Sequence, residues 1–283
     1  MISPHLLLPM TQPGDVAPTA DEAWRALLHL LVRHGQEVAP RGRQTLEVLH
    51  HVSLTTDLNH PVVTCPARRL NYRFMAAEAL WIAAGQDDLA RLTAVNPHMA
   101  EFSDDGKTLA GAYGPRLRPQ VPYVVQTLLL DRDTRQAAMT VWRPCPLPSK
   151  DLPCTVAMVF SIRHNRLYQH AFMRSSDAWL GIPYDVFSFS FLGIEIACQY
   201  NLMAARHGVA PVGLGHLTVT CTSSHLYRDH YLSADDIVRS SMTLSPPPTV
   251  DPTLVTQGDF GAIAARVAEC ERRSPGGTPR YPL

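Results

Sequence analysis

Lysine is almost missing from this chain of 283 residues: Lys107 and Lys150 are its only lysines, so nearly every cation is an arginine. A surplus of either charge is missing too, because 25 Lys plus Arg balance 25 Asp plus Glu. Gripping a nucleic-acid backbone takes an excess of cations to displace condensed counterions, and an acidic solvating tail takes the opposite excess. Both classes are therefore excluded. CxxC pairs are absent: Cys65, Cys145, Cys154, Cys198, Cys221 and Cys270 stand singly. That pattern argues against a disulfide framework and a structural zinc, and no metal is expected. No apolar run reaches the roughly 18 to 20 residues of a bilayer span. The longest, around Val186 to Ala197, is broken by Ser188, Ser190 and Glu195. The first residues lack a basic n-region, so neither a signal peptide nor a membrane anchor is expected, and the cytoplasm is the default compartment. Internal repeats are absent as well.

What is present is an ordinary globular composition, 46% hydrophobic and 18% charged. Residues 1–18, rich in Pro and Leu, read as a flexible arm, and residues 19–283 as a single catalytic domain. The string from Thr19 to Gly35 has a capping start, an acidic first turn, apolar residues at helical spacing (Trp24, Leu27, Leu28, Leu31) and a glycine stop, which predicts a helix. QTLEVLHHVSLTTDL reads as a strand and LNYRFMAAEALWIAAG as a second helix. Residues 87–118 read as loop-rich. A helix is expected around Tyr123 to Asp131, then a strand AAMTVW. Four prolines between Pro144 and Pro153 forbid regular structure there, since each removes a donor and constrains its predecessor. A hairpin turning at Arg163 to Arg166 follows, then a buried helix from Val186 to about His207 and a strand HLTVTCTSSHLY. The region beginning SPPPTVDPT reads as loop. Helices mixed with strands in no βαβ alternation indicate an α+β fold, a mixed sheet covered by helices.

Three features carry chemistry. Cys154 follows a proline-stiffened loop and opens an apolar strand, a rigid mount for a thiolate. RSSD (174–177) gathers a guanidinium, two hydroxyls and a carboxylate, a set suited to a phosphate and able to favour a nearby thiolate. Glu78 is a lone carboxylate within an apolar helix, which is costly without a role or a partner.

LPC (152–154), RSSDAWLGIPYD (174–185) and SSHLY (223–227), in that order and at these separations, resemble the thymidylate synthase family over roughly residues 20 to 235. EALWIAAG, AGAYG and DRDTRQ match further upstream segments. The resemblance implies a homodimer packed through its sheets. It also implies a pyrimidine nucleotide monophosphate as substrate, 5,10-methylenetetrahydrofolate as cosubstrate, and transfer of a one-carbon unit to ring carbon 5. By the same resemblance, Cys154 is the nucleophile that adds at carbon 6. Arg174, Ser175 and Ser176 bind the nucleotide, and Arg135 reaches the partner subunit's phosphate. Arg41 or Arg43 supplies a further phosphate arginine, and spacing does not decide between them. Glu78 relays protons, Tyr113 helps remove the carbon-5 proton, and His225 with Tyr227 holds the sugar hydroxyl. Asp177, Gly181 and Trp81 are the implied folate contacts.

The departures bear on the substrate. Where uracil-using members carry a base-reading asparagine, this chain has Asp185 directly after the Pro-Tyr pair. Cytosine offers an amino donor at position 4 and an acceptor at nitrogen 3, and a carboxyl can accept from the first and, when protonated, donate to the second. Asp185 therefore reads as a cytosine selector and ring protonator. A helix N-cap before VFSFSF is a compatible alternative. The usual histidine after the nucleophile is Thr155, and the second arginine after Arg135 is Gln136. A folate-packing tryptophan is replaced in NPHMAEF, with Met99 or Phe102 as the nearest counterparts. Losing that aromatic shield eases water attack on the exocyclic methylene, which favours a hydroxymethyl over a methyl product. Deoxycytidylate hydroxymethylation is thus expected, with deoxycytidylate methylation or cytidylate hydroxymethylation as alternatives. A silent nucleotide- or RNA-binding relative is opposed by the joint retention of Cys154, Glu78, Tyr113 and Arg174.

Overall fold

A computed structural model describes residues 16–240, 247–272 and 283. The elements run α1 (Ala20–His34), β1 (Gln36–Val38), β2 (Thr45–Asp57), α2 (Tyr72–Ala83), α3 (Leu89–Thr93), α4 (Gly114–Leu117), α5 (Val121–Leu130), β3 (Ala138–Thr140), β4 (Thr155–Arg163), β5 (Arg166–Met173), β6 (Ser176–Asp177), α6 (Ile182–Arg206), β7 (Gly213–Tyr227), α7 (Tyr231–Arg239), α8 (Pro252–Gln257) and α9 (Phe260–Arg272). The sheet is mixed, in the order β1-β2-β7-β5-β4-β3, with β6 beside β7. β5 and β6 run parallel to β7, and the other pairs are antiparallel. The expected α+β architecture is the one found.

Alternation along the strands decides which face is covered. Met158, Phe160 and Ile162 on β4, Leu167 and Ala171 on β5, and Leu217, Val219 and Cys221 on β7 are buried with α6 in one core. Their alternating neighbours Tyr168, His170, Thr218 and Thr220 are half-buried, and Phe172 is exposed. α6 has the length and composition of a bilayer span, yet 83% of that window is buried inside the protein, as a core helix requires.

Several expectations need correction. The stretch 87–118 is more ordered than its polarity indicates: Asp88 caps α3 through its side chain, and Pro97–Phe102 forms a 3₁₀ segment. The C-terminal region is helical, because Ile263, Val267 and Cys270 line up on one side of α9 and are buried, with α9 lying against α2. α6 begins at Ile182, four residues earlier than the apolar run indicates, so Gly181 is its N-cap and Asp185 lies in its first turn. That removes the N-cap reading of Asp185. The proposed arm falls mostly outside the described residues, but Ala17 is fixed, donating from its backbone to Thr55 O at 3.1 Å.

α1 is tied to the active-site side of the molecule by two buried groups. The Trp24 indole donates to Ala178 O at 2.6 Å, and its ring lies 5.8 Å from that of Trp179. Asp21, fully buried in the first turn, accepts from Thr64 N at 2.7 Å, Thr64 Oγ1 at 2.5 Å and Cys65 N at 2.9 Å. Removing that carboxylate leaves three buried donors unpaired, each a desolvation loss of about 1 to 3 kcal/mol before relaxation. Asp21→Ala should lower the unfolding free energy by about 3 kcal/mol in urea titration. A loss below about 1 kcal/mol would show that Asp21 does not organise this junction.

Candidate active site

The groups expected to act together do come together, at the end of the sheet where β4 starts and β6 and β7 meet the N-terminus of α6. Cys154 sits one residue before β4, half-buried with a free thiol. Burial pushes that thiol up, Arg174 and Arg41 pull it down, and Asp185 and Asp151 add to the rise. The net direction is upward, so the expected thiolate-favouring effect of Arg174 is present but smaller than the desolvation it opposes. The Arg174 guanidinium donates to Pro153 O at 3.1 Å and Leu152 O at 3.0 Å, which pins the loop carrying Cys154.

Glu78 on α2 and Asp185 on α6 are near enough for the charge of Asp185 to act on Glu78. Each keeps part of its surface open to the cleft, but its carboxyl is deep enough for desolvation to dominate. Burial, reinforced by Asp185, raises Glu78 to about 8. Burial, reinforced by Asp177, raises Asp185 to about 7. The N-terminus of α6 favours an anion at Asp185, but a helix end contributes roughly 0.3 to 1 kcal/mol against burial shifts that reach about 3 to 5 pK units. Asp185 therefore holds its proton close to neutrality. Tyr113 stacks on Phe189 at 6.3 Å, and its phenol oxygen accepts from Thr155 N at 3.2 Å and Thr155 Oγ1 at 3.0 Å. Burial, with the charges of Asp185 and Cys154, moves the phenol upward.

Asp177 Oδ1 accepts from Trp179 N at 2.7 Å and Leu180 N at 2.9 Å, whereas Oδ2 is buried and has no partner among the described residues. An orphaned carboxylate oxygen fits a ligand N–H donor, as on a pterin ring. Gly181 lies where a Cβ would crowd Asp177 O at 3.0 Å and Asp185 Oδ2 at 3.2 Å, so a side chain there would need one of these two carboxyl-bearing segments to give by a few tenths of an ångström. Trp81 is placed differently from its expected role. It is 3% exposed, with its indole N–H on Asp88 O at 3.0 Å, and it supports the wall from behind. Met99 packs on that same cluster, while Phe102 is 47% exposed.

Among the residues expected to take the nucleotide, Ser175 Oγ and His225 Nδ1 are 3.3 Å apart, and the His225 and Tyr227 rings meet edge-on at 5.1 Å. Burial lowers His225, with Asp177 and Glu47 opposing and Arg41 and Arg43 adding. Arg43 lies over the Tyr227 ring at 3.9 Å, and Arg41 takes a left-handed backbone with φ 54°. Both arginines thus border the site, and Arg41 acts on the Cys154 thiol. Ser176 is buried opposite Ser224, its hydroxyl without a partner among the described residues. Arg135 is exposed on the connection between α5 and β3.

Two neighbours had no sequence signal. Arg68 donates to Trp179 O through Nε and Nη2 at 3.0 and 2.7 Å, and Tyr184 accepts from Asn71 N at 3.1 Å while meeting Phe74 edge-on at 5.1 Å. Arg68 follows an irregular segment, and only the fold brings it to α6. Among the described residues no His/Cys/Asp/Glu cluster could hold a metal.

Comparison with known proteins places this geometry. The thymidylate synthase family model matches residues 22–258. A deoxyuridylate hydroxymethyltransferase of Bacillus phage SP01 is 28% identical over 212 residues, covering 64% of this chain and 55% of that protein. One of Delftia phage PhiW-14 is 28% identical over 208 residues, covering 68% and 56%. The chain thus spans little more than half the length of these relatives.

The raised carboxyls have a stability consequence. Between the ordinary carboxylate range and about 7 to 8, the native state binds protons that the unfolded state has released, so these groups remove stability as pH rises through that window. Asp185→Asn should therefore melt a few degrees above wild type at pH 8, and the gap should narrow as pH falls below about 7, closing only below the ordinary carboxylate value of 3.8, where wild type is protonated in both states. Equal gaps at both pH values in calorimetry would contradict the burial of this carboxyl.

Proposed function

The chain belongs to the thymidylate synthase family, and on that footing we propose that it hydroxymethylates carbon 5 of a cytosine nucleotide monophosphate, deoxycytidylate foremost. The observation that carries the cytosine reading is Asp185, a cleft carboxyl held near pKa 7 by burial and by its neighbour Asp177. In its neutral form it donates to ring nitrogen 3 and accepts from the 4-amino group. When the Cys154 thiolate adds at carbon 6, the ring gathers electron density that nitrogen 3 can take up with the Asp185 proton. What remains is a carboxylate facing two N–H donors, a two-point, charge-assisted pair. Uracil already carries a hydrogen on nitrogen 3 and an oxygen at position 4, so it offers the neutral acid no ring nitrogen to protonate and the ionised form an oxygen that it repels.

Methylenetetrahydrofolate supplies the one-carbon unit when bound, and Asp177, with its unpaired oxygen, and Gly181 would hold it. Tyr113 assists loss of the carbon-5 proton, Glu78 passes protons within the cleft, and His225 with Tyr227 holds the sugar. Arg174, Arg41 and Arg43 surround the phosphate. Arg135, exposed on its loop, reaches the site of a second copy docked on the open sheet face. The deoxyuridylate hydroxymethyltransferase relatives support a hydroxymethyl product over a methyl one. Their name also favours a second reading with deoxyuridylate as the substrate, which Asp185 speaks against.

Incubation with methylenetetrahydrofolate and an equimolar mixture of deoxycytidylate, cytidylate and deoxyuridylate, followed by mass spectrometry, should show 5-hydroxymethyldeoxycytidylate without dihydrofolate absorbance. A modified uracil nucleotide as main product sinks the cytosine reading, and dihydrofolate sinks the hydroxymethyl one. Asp185→Asn should shift preference toward deoxyuridylate by about 100-fold or more. Cys154→Ser should abolish tritium release from carbon 5 while nucleotide binding survives.

A further inference from the structure

The peptide group joining Cys154 to Thr155 is held from both edges. A trans peptide points its carbonyl and its N–H in opposite directions. The Cys154 carbonyl accepts from Arg174 N at 2.8 Å, on the β5 side. On the other side β3 ends opposite Ala157, so the Thr155 N–H lies beyond the last rung of that ladder and is left for a side chain. It goes to the Tyr113 phenol oxygen at 3.2 Å, and the Thr155 hydroxyl donates to the same oxygen at 3.0 Å. Thr155 is fully buried and therefore fixed in this posture.

A phenol oxygen accepts two hydrogen bonds and donates one. With Thr155 donating to it twice, the phenol oxygen has its own hydrogen left to give away from Thr155, and Asp185 and Cys154 are the charged groups that act on it. We propose that Thr155 is the positioning residue of Tyr113. Its two donations turn the phenol hydrogen toward the substrate, where it fixes the water that removes the carbon-5 proton. In that step the carbon–hydrogen bond breaks, its electron pair stays with the ring, and the proton passes through the water to solvent. Without the Thr155 hydroxyl the phenol oxygen loses one of its two donors, and the orientation of the phenol hydrogen is no longer fixed by both. Thr155 is one of this chain's departures from the family pattern, so the arrangement belongs to this chain. The proposal rests on the one-carbon transfer reading above.

The test follows tritium release from 5-tritiated nucleotide with methylenetetrahydrofolate. Thr155→Val keeps shape and removes the hydroxyl, and Thr155→Ala removes it without any packing clash. Both should slow release roughly 10- to 100-fold, with KM for the nucleotide within about twofold of wild type. The isotope effect from 5-deuterated nucleotide should rise as proton removal becomes limiting. Thr155→Ser should restore release. On a Tyr113→Phe background, Thr155→Val should cause no further loss, because the residue acts only through the phenol. Wild-type rates in both variants, an equal loss on the Tyr113→Phe background, or no rescue by serine each overturns the assignment. If wild type releases no tritium from any of the three nucleotides, the one-carbon reading itself falls, and the role of Thr155 with it.

Discussion

A carboxyl desolvated without a compensating cation among the described residues is the constraint on which this site depends. Asp185 is half-buried with its carboxyl set inward, and the charge that acts on it most is another carboxylate, Asp177. Keeping it ionised there has a high desolvation cost, and the helix end above it offsets only a fraction. The proton therefore stays, and a residue type that is usually an acceptor becomes a donor near neutrality. Glu78, raised further by Asp185, is in the same state. Two carboxyls raised toward neutrality could exchange protons with a bound ring, as the proposed reaction requires.

The scaffold exists to hold these groups at a spacing that solvent would otherwise relax. α6 is buried along most of its length and brings Asp185 in from one side. Gly181 lets the RSSD turn approach that helix closely, and Asp177 spends one oxygen on the turn's own backbone while leaving the other for a ligand. From the opposite side, β4 delivers Cys154, and a single peptide group connects its backbone to Arg174 on one edge and Tyr113 on the other. α1 closes the back through Trp24 on Ala178. A displacement in any of these elements would be felt at the carboxyls.

The arginines show how a neutral total can conceal local charge. Arg174 and Arg41 both lower the Cys154 thiol against its burial, and Arg43 covers Tyr227. The two flexible-loop candidates, left open by spacing, border the same site from adjacent positions. Arg68, unremarkable in sequence, turns out to fasten Trp179 beside Asp177.

What the sequence determined by itself was the class of fold, the main helices and strands, and the candidates for the chemistry. Helical and strand periodicities report which face is buried, and LPC, RSSDAWLGIPYD and SSHLY are local strings whose order survives in the chain. Errors fell where local pattern is silent. The start of α6 was misplaced because Ile182 to Asp185 show no period of their own, and α9 was missed because its apolar residues gain meaning only against α2. The protonation of Asp185 and Glu78, the two donations from Thr155 to Tyr113 and the withdrawal of Trp81 into the wall were decided by tertiary structure alone. Each depends on desolvation or on contacts between residues dozens of positions apart, and a sequence carries neither distance nor dielectric.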